Sequence, residues 1–216
     1  MKCHYYVLCA LACVILFASC GIFINKKTER PIPEVKETPA PVFASKPLYV
    51  SPFAGRSMQA RSYAILNGYS TDYCFFVDMS IHSGRKRFFV YDLEKNVVLI
   101  SGLVAHGSCK EGFLTDAKFS NVPGCGCSSS GKYKIGEKYR GQYGTSYKLY
   151  GLDNTNSNAY RRAVVLHGFS CIPNEEIYPK DVCNSFGCPM VSTAFFERLA
   201  FVIDKAKKPI ILWIYN

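Results

Sequence analysis

Two residue types in this chain carry nucleophilic or proton-transfer chemistry at suggestive spacing: cysteine and histidine. The segment "DVCNSFGCPM" (181–190) holds Cys183 and Cys188, and only Cys188 is preceded by glycine and followed by proline. A cysteine acts as a nucleophile when a base or a positive field favours its thiolate. The usual base is a histidine whose second ring nitrogen is oriented by an acceptor. Of the four histidines, His4 falls in an apolar leader and His82 in the polar run "HSGRK", where it reads as solvated. His106 and His167 each end an apolar strand-like run and each precede glycine. A strand end is a rigid base from which a side chain enters a cleft, and the following glycine lets another backbone approach. In "SFGC" (185–188), Gly187 permits a tight turn whose backbone N–H groups can receive an oxyanion, and Pro189 fixes its exit. The order is histidine first and cysteine 21 residues later, opposite to papain-like peptidases. The alternative for Cys188 is a structural disulfide, with Cys183 or another thiol. A zinc site built from Cys125, Cys127, Cys183 and Cys188 matches no standard spacing. The sequence calls for no metal and no cofactor.

These residues need a scaffold, and the rest of the chain describes one outside the cytoplasm. Lys2 precedes the apolar run "VLCALACVILFA" (7–18), and "FASC" places small residues before Cys20. This reads as a lipoprotein-type signal peptide over 1–19 with Cys20 as the lipidation site. An uncleaved transmembrane anchor or plain secretion are the alternatives. Residues 20–52 read as an acylated cysteine and a Pro-rich tether, since "TERPIPEVKETPAPVFASKP" favours extended backbone. The catalytic-type domain is expected over 53–216. Of eleven cysteines, removing Cys3, Cys9, Cys13 and Cys20 leaves seven. An exported chain with an odd number of thiols forms disulfides and leaves at least one unpaired. Cys171 with Cys183 is the expected loop-closing bridge, and Cys109 with Cys125 or Cys127 a weaker expectation. Cys183 is also placed to trap Cys188 oxidatively. Half of the 216 residues are apolar (49 %), which excludes global disorder, and the net charge of +10 suits an anionic neighbour. No zinc finger, RNA-binding aromatic signature or basic helix is present, so nucleic acid is not the expected partner.

Periodicity predicts a mainly β domain with a few helices. A helix is expected over 57–69, stopped by Gly68, and an amphipathic helix over 192–208 with Ser192 and Thr193 as caps. Strands are expected over 74–80, 87–93, 97–107, 131–141, 146–152, 162–168 and the closing "PIILWIYN", and a long Gly-, Ser- and Cys-rich loop over 108–131.

The motifs "VVLHGF" and "SFGCPM", with "FFVYDLEKNVVLISGLVAHG", "FSNVPGCGCSSSGKYKIGEKYRGQYGTSYKLYGLD" and "NSNAYRRAVVLHG" in order, resemble the murein L,D-transpeptidases, the YkuD-like family. The chain carries Phe186 where the commonest motif has histidine, and Pro189 and Met190 after the cysteine. The resemblance implies a catalytic β-sandwich and acyl transfer on peptidoglycan stem peptides in the cell envelope. It implies Cys188 as nucleophile, His167 as base and acid, the Gly168 carbonyl as orienter of the imidazole, and the N–H groups of Gly187 and Cys188 as oxyanion donors. Ser185 is expected to shape the turn or to bond near the thiol. His106 is a candidate to line the cleft or to serve structure. Arg161 and Arg162 are candidates for substrate carboxylates or plain solvation. The alternatives in function are an L,D-carboxypeptidase of the same chemistry and a non-catalytic wall-binding lipoprotein.

Overall fold

The computed structural model describes residues 53–216; the leader, Cys20 and the tether lie outside the described residues. In chain order the elements are α1 (Ala54–Asn67), β1 (Tyr73–Asp78), β2 (Phe88–Asp92), β3 (Val97–Gly102), β4 (Val104–Ala105), β5 (Gly131–Gly141), β6 (Gly144–Gly151), β7 (Val165–Gly168), β8 (Met190–Val191), α2 (Thr193–Lys205) and β9 (Ile211–Tyr215). The domain is mainly β with two helices, as its patterning predicts.

All nine strands form one sheet in the order β3-β2-β1-β9-β5-β6-β7-β8-β4. Its first and last strands, β3 and β4, are separated in the chain by Leu103 alone. Two strands one residue apart cannot sit at opposite ends of a flat sheet, so the sheet rolls over to face itself, which produces the layered core. Sequence periodicity reads 97–107 as one strand; the structure breaks it at Gly102–Leu103, where the chain leaves one edge and joins the other. The Phe195 ring lies so close to Gly102 that a Cβ there would meet it at 2.4 Å.

Side-chain alternation sorts β1 to both faces. Phe75 and Val77 face an inner core with Val90, Tyr133, Leu149, Leu166 and Leu212, while Cys74 and Phe76 face an outer core under α1. With both faces covered, β2 is buried along its length, whereas β3 alternates. β9, parallel to β1 and antiparallel to β5, joins the two halves of the sheet.

α2 seals the inner core with Phe195, Phe196, Leu199 and Val202, a stripe at helical spacing, each burial contributing roughly 1.5–3 kcal/mol. Ser192 starts it by accepting the Phe195 N–H at 3.2 Å. α1 begins three residues earlier than its periodicity suggests and stops at Gly68, whose φ of 75° closes the C-terminal turn.

Candidate active site

The site forms where β7 meets β8. These strands are parallel, with His167 beside Met190 and Gly168 beside Val191. Continuing that register backwards puts Cys188 beside Val165, and the Val165 N–H points at the Cys188 sulfur at 3.5 Å. Val164 and Leu166 belong to the inner core, so Val165 and His167 face the other side of the sheet. Cys188 and His167 thus stand on neighbouring strands, offset by two residues. Among the described residues no hydrogen bond joins the sulfur to the ring. β8 escapes sequence reading because two residues give no periodicity.

His167 is held on three sides. Its Nδ1 lies 3.1 Å from the Gly168 carbonyl oxygen, which accepts a proton-bearing Nδ1 and leaves Nε2 with its lone pair. The Tyr143 ring stacks on it at 4.3 Å and 15°, and Phe169 meets it edge-on at 6.4 Å. Burial lowers the imidazole below its ordinary range, and the Gly168 carbonyl offsets part of this. Tyr143 sits in the turn between β5 and β6, next to Gly144. Its role was not legible in the sequence, because the contact is non-local and the tyrosine lies in a stretch with many others.

Cys188 is a free, half-buried thiol. Burial raises its pKa, while the Val165 N–H and the Arg162 charge pull it back only in part. Raised thiol and lowered imidazole together make the resting pair neutral rather than an ion pair.

The turn before Cys188 is tied down by Ser185, whose hydroxyl accepts the Gly187 N–H at 3.1 Å and donates to the Cys188 carbonyl at 2.7 Å. The expectation that the Gly187 N–H faces an oxyanion is therefore corrected: that donor is engaged within the turn, and the Cys188 N–H is the donor left open among the described residues. Gly187 has φ of 112°, and a Cβ there would lie 2.6 Å from the Cys127 carbonyl oxygen, so no other residue fits.

Arg162 is not directed at a substrate carboxylate. Its guanidinium donates to the carbonyls of Ser120 and Cys127, to the Ser129 hydroxyl and to the Cys125 sulfur, pinning the 120–129 loop against the Gly187 turn. The spacing predicts a strand from Arg162 onward; instead Ala163, at φ 54°, ends a turn and β7 starts at Val165.

His106 does not line a cleft either. It is fully buried, with Nδ1 accepting from Arg87 at 2.8 Å and Nε2 lying 3.1 Å from the Leu114 carbonyl. Burial and the Arg87 charge lower its pKa to about 4. Arg87, 1 % exposed, also donates to the carbonyls of Ile81 and Val104, so this buried pair is a structural bolt under the 106–114 segment.

Among the described residues the cysteine pairing is Cys109–Cys127 and Cys171–Cys183, leaving Cys74, Cys125 and Cys188 free. Cys183 is therefore bonded to Cys171 and unavailable as an oxidative trap for Cys188. Nothing in the local sequence marks Cys125 as reactive, yet its sulfur receives N–H groups from Cys127 and from Arg162, each at 3.3 Å.

The rolled sheet thus carries a free thiol on the segment next to a carbonyl-oriented imidazole. The L,D-transpeptidase catalytic-domain family matches residues 53–215, and the chain belongs to that family. No curated protein matches the chain. Among solved structures it is similar to the helical cell shape determining protein of Campylobacter jejuni, at 12 % identity and TM-score 0.44, over 74 % of this chain and 56 % of that one. It is also similar to the L,D-transpeptidase of Xylanimonas cellulosilytica, at 16 % identity and TM-score 0.39, over 71 % of this chain and 68 % of that one. An L,D-transpeptidase from Mycobacterium tuberculosis follows at 12 % identity and TM-score 0.37, over 67 % and 58 % of the two chains.

Proposed function

We propose that this domain is a peptidoglycan L,D-transpeptidase that uses Cys188 as its nucleophile. The observation that carries the reading is the pairing of β7 with β8, which sets a free thiol beside a histidine whose Nδ1 is fixed by the Gly168 carbonyl. His167 Nε2 takes the Cys188 proton as the sulfur attacks the carbonyl of the L-centre of diaminopimelate in a tetrapeptide stem. The contact between them tightens in the substrate complex, as catalytic hydrogen bonds commonly do. The oxyanion is met by the Cys188 N–H. Collapse breaks the C–N bond, the D-alanine nitrogen leaves with the proton from His167, and a thioester remains. An amine of a neighbouring stem then attacks the thioester, giving a 3→3 cross-link and restoring the thiol.

The leader and Cys20 support placement in the cell envelope on a lipid anchor; loss of fatty-acid labelling in Cys20→Ala tests this. Purified disaccharide-tetrapeptides incubated with the protein test the chemistry. The expected products are cross-linked dimers and free D-alanine, absent in Cys188→Ala. Tripeptide without dimer identifies the carboxypeptidase of the same chemistry, and no product from reduced, folded protein identifies a wall-binding module.

A further inference from the structure

A second groove, of about 330 Å³, lies between the bulge in β5 and the connection from α2 to β9. Ile203 and Ile210 line it, and it carries three lysines, Lys134, Lys207 and Lys208. It belongs to the β9–β5 part of the sheet, and β6 separates β5 from the β7 strand that holds His167.

The three cations are poorly neutralised. Among the described residues none of them takes part in an ion pair. The nearby acids are committed elsewhere. Asp204 accepts from Lys138 and from the Tyr147 hydroxyl, each at 2.6 Å, and Glu137, on the groove wall, accepts from the Tyr150 hydroxyl at 2.6 Å. Lys205 lies in the last turn of α2 and complements the helix end, whereas Lys207 and Lys208 stand beyond it and are exposed.

Aromatic rings border these cations. The Lys134 ammonium stands over the Tyr150 ring at 4.3 Å, and Tyr160, 56 % exposed, stacks on Tyr150 at 4.9 Å. Lys132, two residues before Lys134 on β5, lies 5.1 Å from both Tyr63 and Trp213; it is paired with Asp153 and serves to hold those rings. Register sets Lys132 opposite Trp213 and Lys134 opposite Tyr150, so lysines and rings alternate from β9 through β5 to β6, about 10 Å of sheet.

This chemistry selects the partner. Unpaired cations on a chain of net charge +10 suit an anion, and a row of them suits a polymer, because linked contacts add as avidity. A single-stranded nucleic acid needs successive free ring faces, but Tyr150 has Tyr160 against it and Lys134 over it. Ammonium groups beside partly exposed rings instead fit carboxylates carried along a hydroxyl-rich chain.

We infer that this face binds the assembled peptidoglycan polymer, with stem-peptide carboxylates seated on Lys134, Lys207 and Lys208, as a contact separate from the thiol site. The identity of the polymer rests on the transpeptidase reading above; the binding of a carboxylate polymer by this face does not.

The test is co-sedimentation of the full chain with insoluble peptidoglycan stripped of attached polymers. The triple variant Lys134→Gln, Lys207→Gln and Lys208→Gln is expected to bind about tenfold more weakly, each exposed ionic contact being worth a factor of a few at most. Wild-type binding weakens as ionic strength rises. Peptidoglycan with its carboxyl groups converted to amides binds the wild type as weakly as native polymer binds the triple variant, and the matching Lys→Arg triple variant keeps its binding. Turnover of soluble disaccharide-tetrapeptide is unchanged in the triple variant, and matching melting temperatures establish that it folds. A wild type that does not sediment, a triple variant that sediments equally, or indifference to amidation overturns the inference. So does a triple variant that loses flotation with phosphatidylglycerol vesicles but keeps its sedimentation, which assigns the face to lipid. If the wild type turns over no soluble fragment, the transpeptidase reading fails by itself, and the sedimentation comparison still decides this surface.

Discussion

At the scale of single residues, the neutral resting pair dictates pH behaviour. Burial lowers His167 below its ordinary range, so Nε2 remains a proton acceptor as the medium becomes mildly acidic. The acid limb of kcat/KM against pH is therefore expected below the ordinary imidazole pKa of about 6.5. Activity is retained above it and lost as pH falls through the lowered value; a limb centred above 6.5 contradicts the geometry described for His167. The second prediction concerns Cys125. Burial would raise its thiol, but the Cys127 N–H, the contact with Ser120 and the Arg162 charge together hold it below the usual range. Cys188 is shifted the other way by burial, and so is Cys74. Iodoacetamide at neutral pH should alkylate Cys125 ahead of Cys188 and leave Cys74 untouched, as peptide mass mapping would show. Arg162→Met should slow the labelling of Cys125.

At the scale of elements, the turn leading into β8 decides where the sulfur sits. Ser185 closes that turn with two hydrogen bonds, and the Cys127 carbonyl presses against Gly187. Gly187→Ala sets a Cβ against backbone at a φ that side chains rarely adopt, so the turn must shift. A displacement of about 1 Å at a reacting atom costs on the order of a hundredfold in rate. We expect kcat/KM to fall by about that factor while the cooperative melt persists; near wild-type turnover would show that the turn does not position the thiol. The strands themselves were legible wherever alternation ran for five residues or more, as in β3. What was not legible was the break at Leu103 and the two-residue β8, since each exists only because a distant strand offers pairing partners.

At the scale of the whole molecule, stability rests on the rolled core together with a buried polar bolt and two disulfides. The unfolded chain protonates His106 near pH 6.5, the folded chain at about 4. Stability is thus complete above the unfolded value and falls by about 3 kcal/mol as pH drops towards 4. Urea unfolding at pH 7 and pH 4 should show this difference reduced in His106→Gln by a comparable amount. The Cys109–Cys127 bridge closes a span of 18 residues and Cys171–Cys183 one of 12. By loop-closure entropy each contributes about 3 kcal/mol. Replacing Cys109 and Cys127 by serine should lower the melting temperature. It should also reduce turnover, because the loop pinned by Arg162 against Gly187 loses its tether.

The sequence by itself pointed to Cys188 and His167 as the candidate pair, determined the β-rich domain and the capped and stopped helices, and suggested the Cys171–Cys183 bridge without fixing it. Each is written in local terms: residue type, period, turn residues and short spacing. Tertiary structure alone decided the rest. Arg162 had the charge for a substrate carboxylate, yet its donors meet carbonyls of a loop more than thirty residues away in the chain. His106 ended a strand just as His167 does, yet only His167 has neighbours that leave its Nε2 open, while His106 is closed over by Arg87 and Leu114. A side chain's partners across the rolled sheet follow from which strands pair and in what register, and that is a property of the whole core rather than of any one segment.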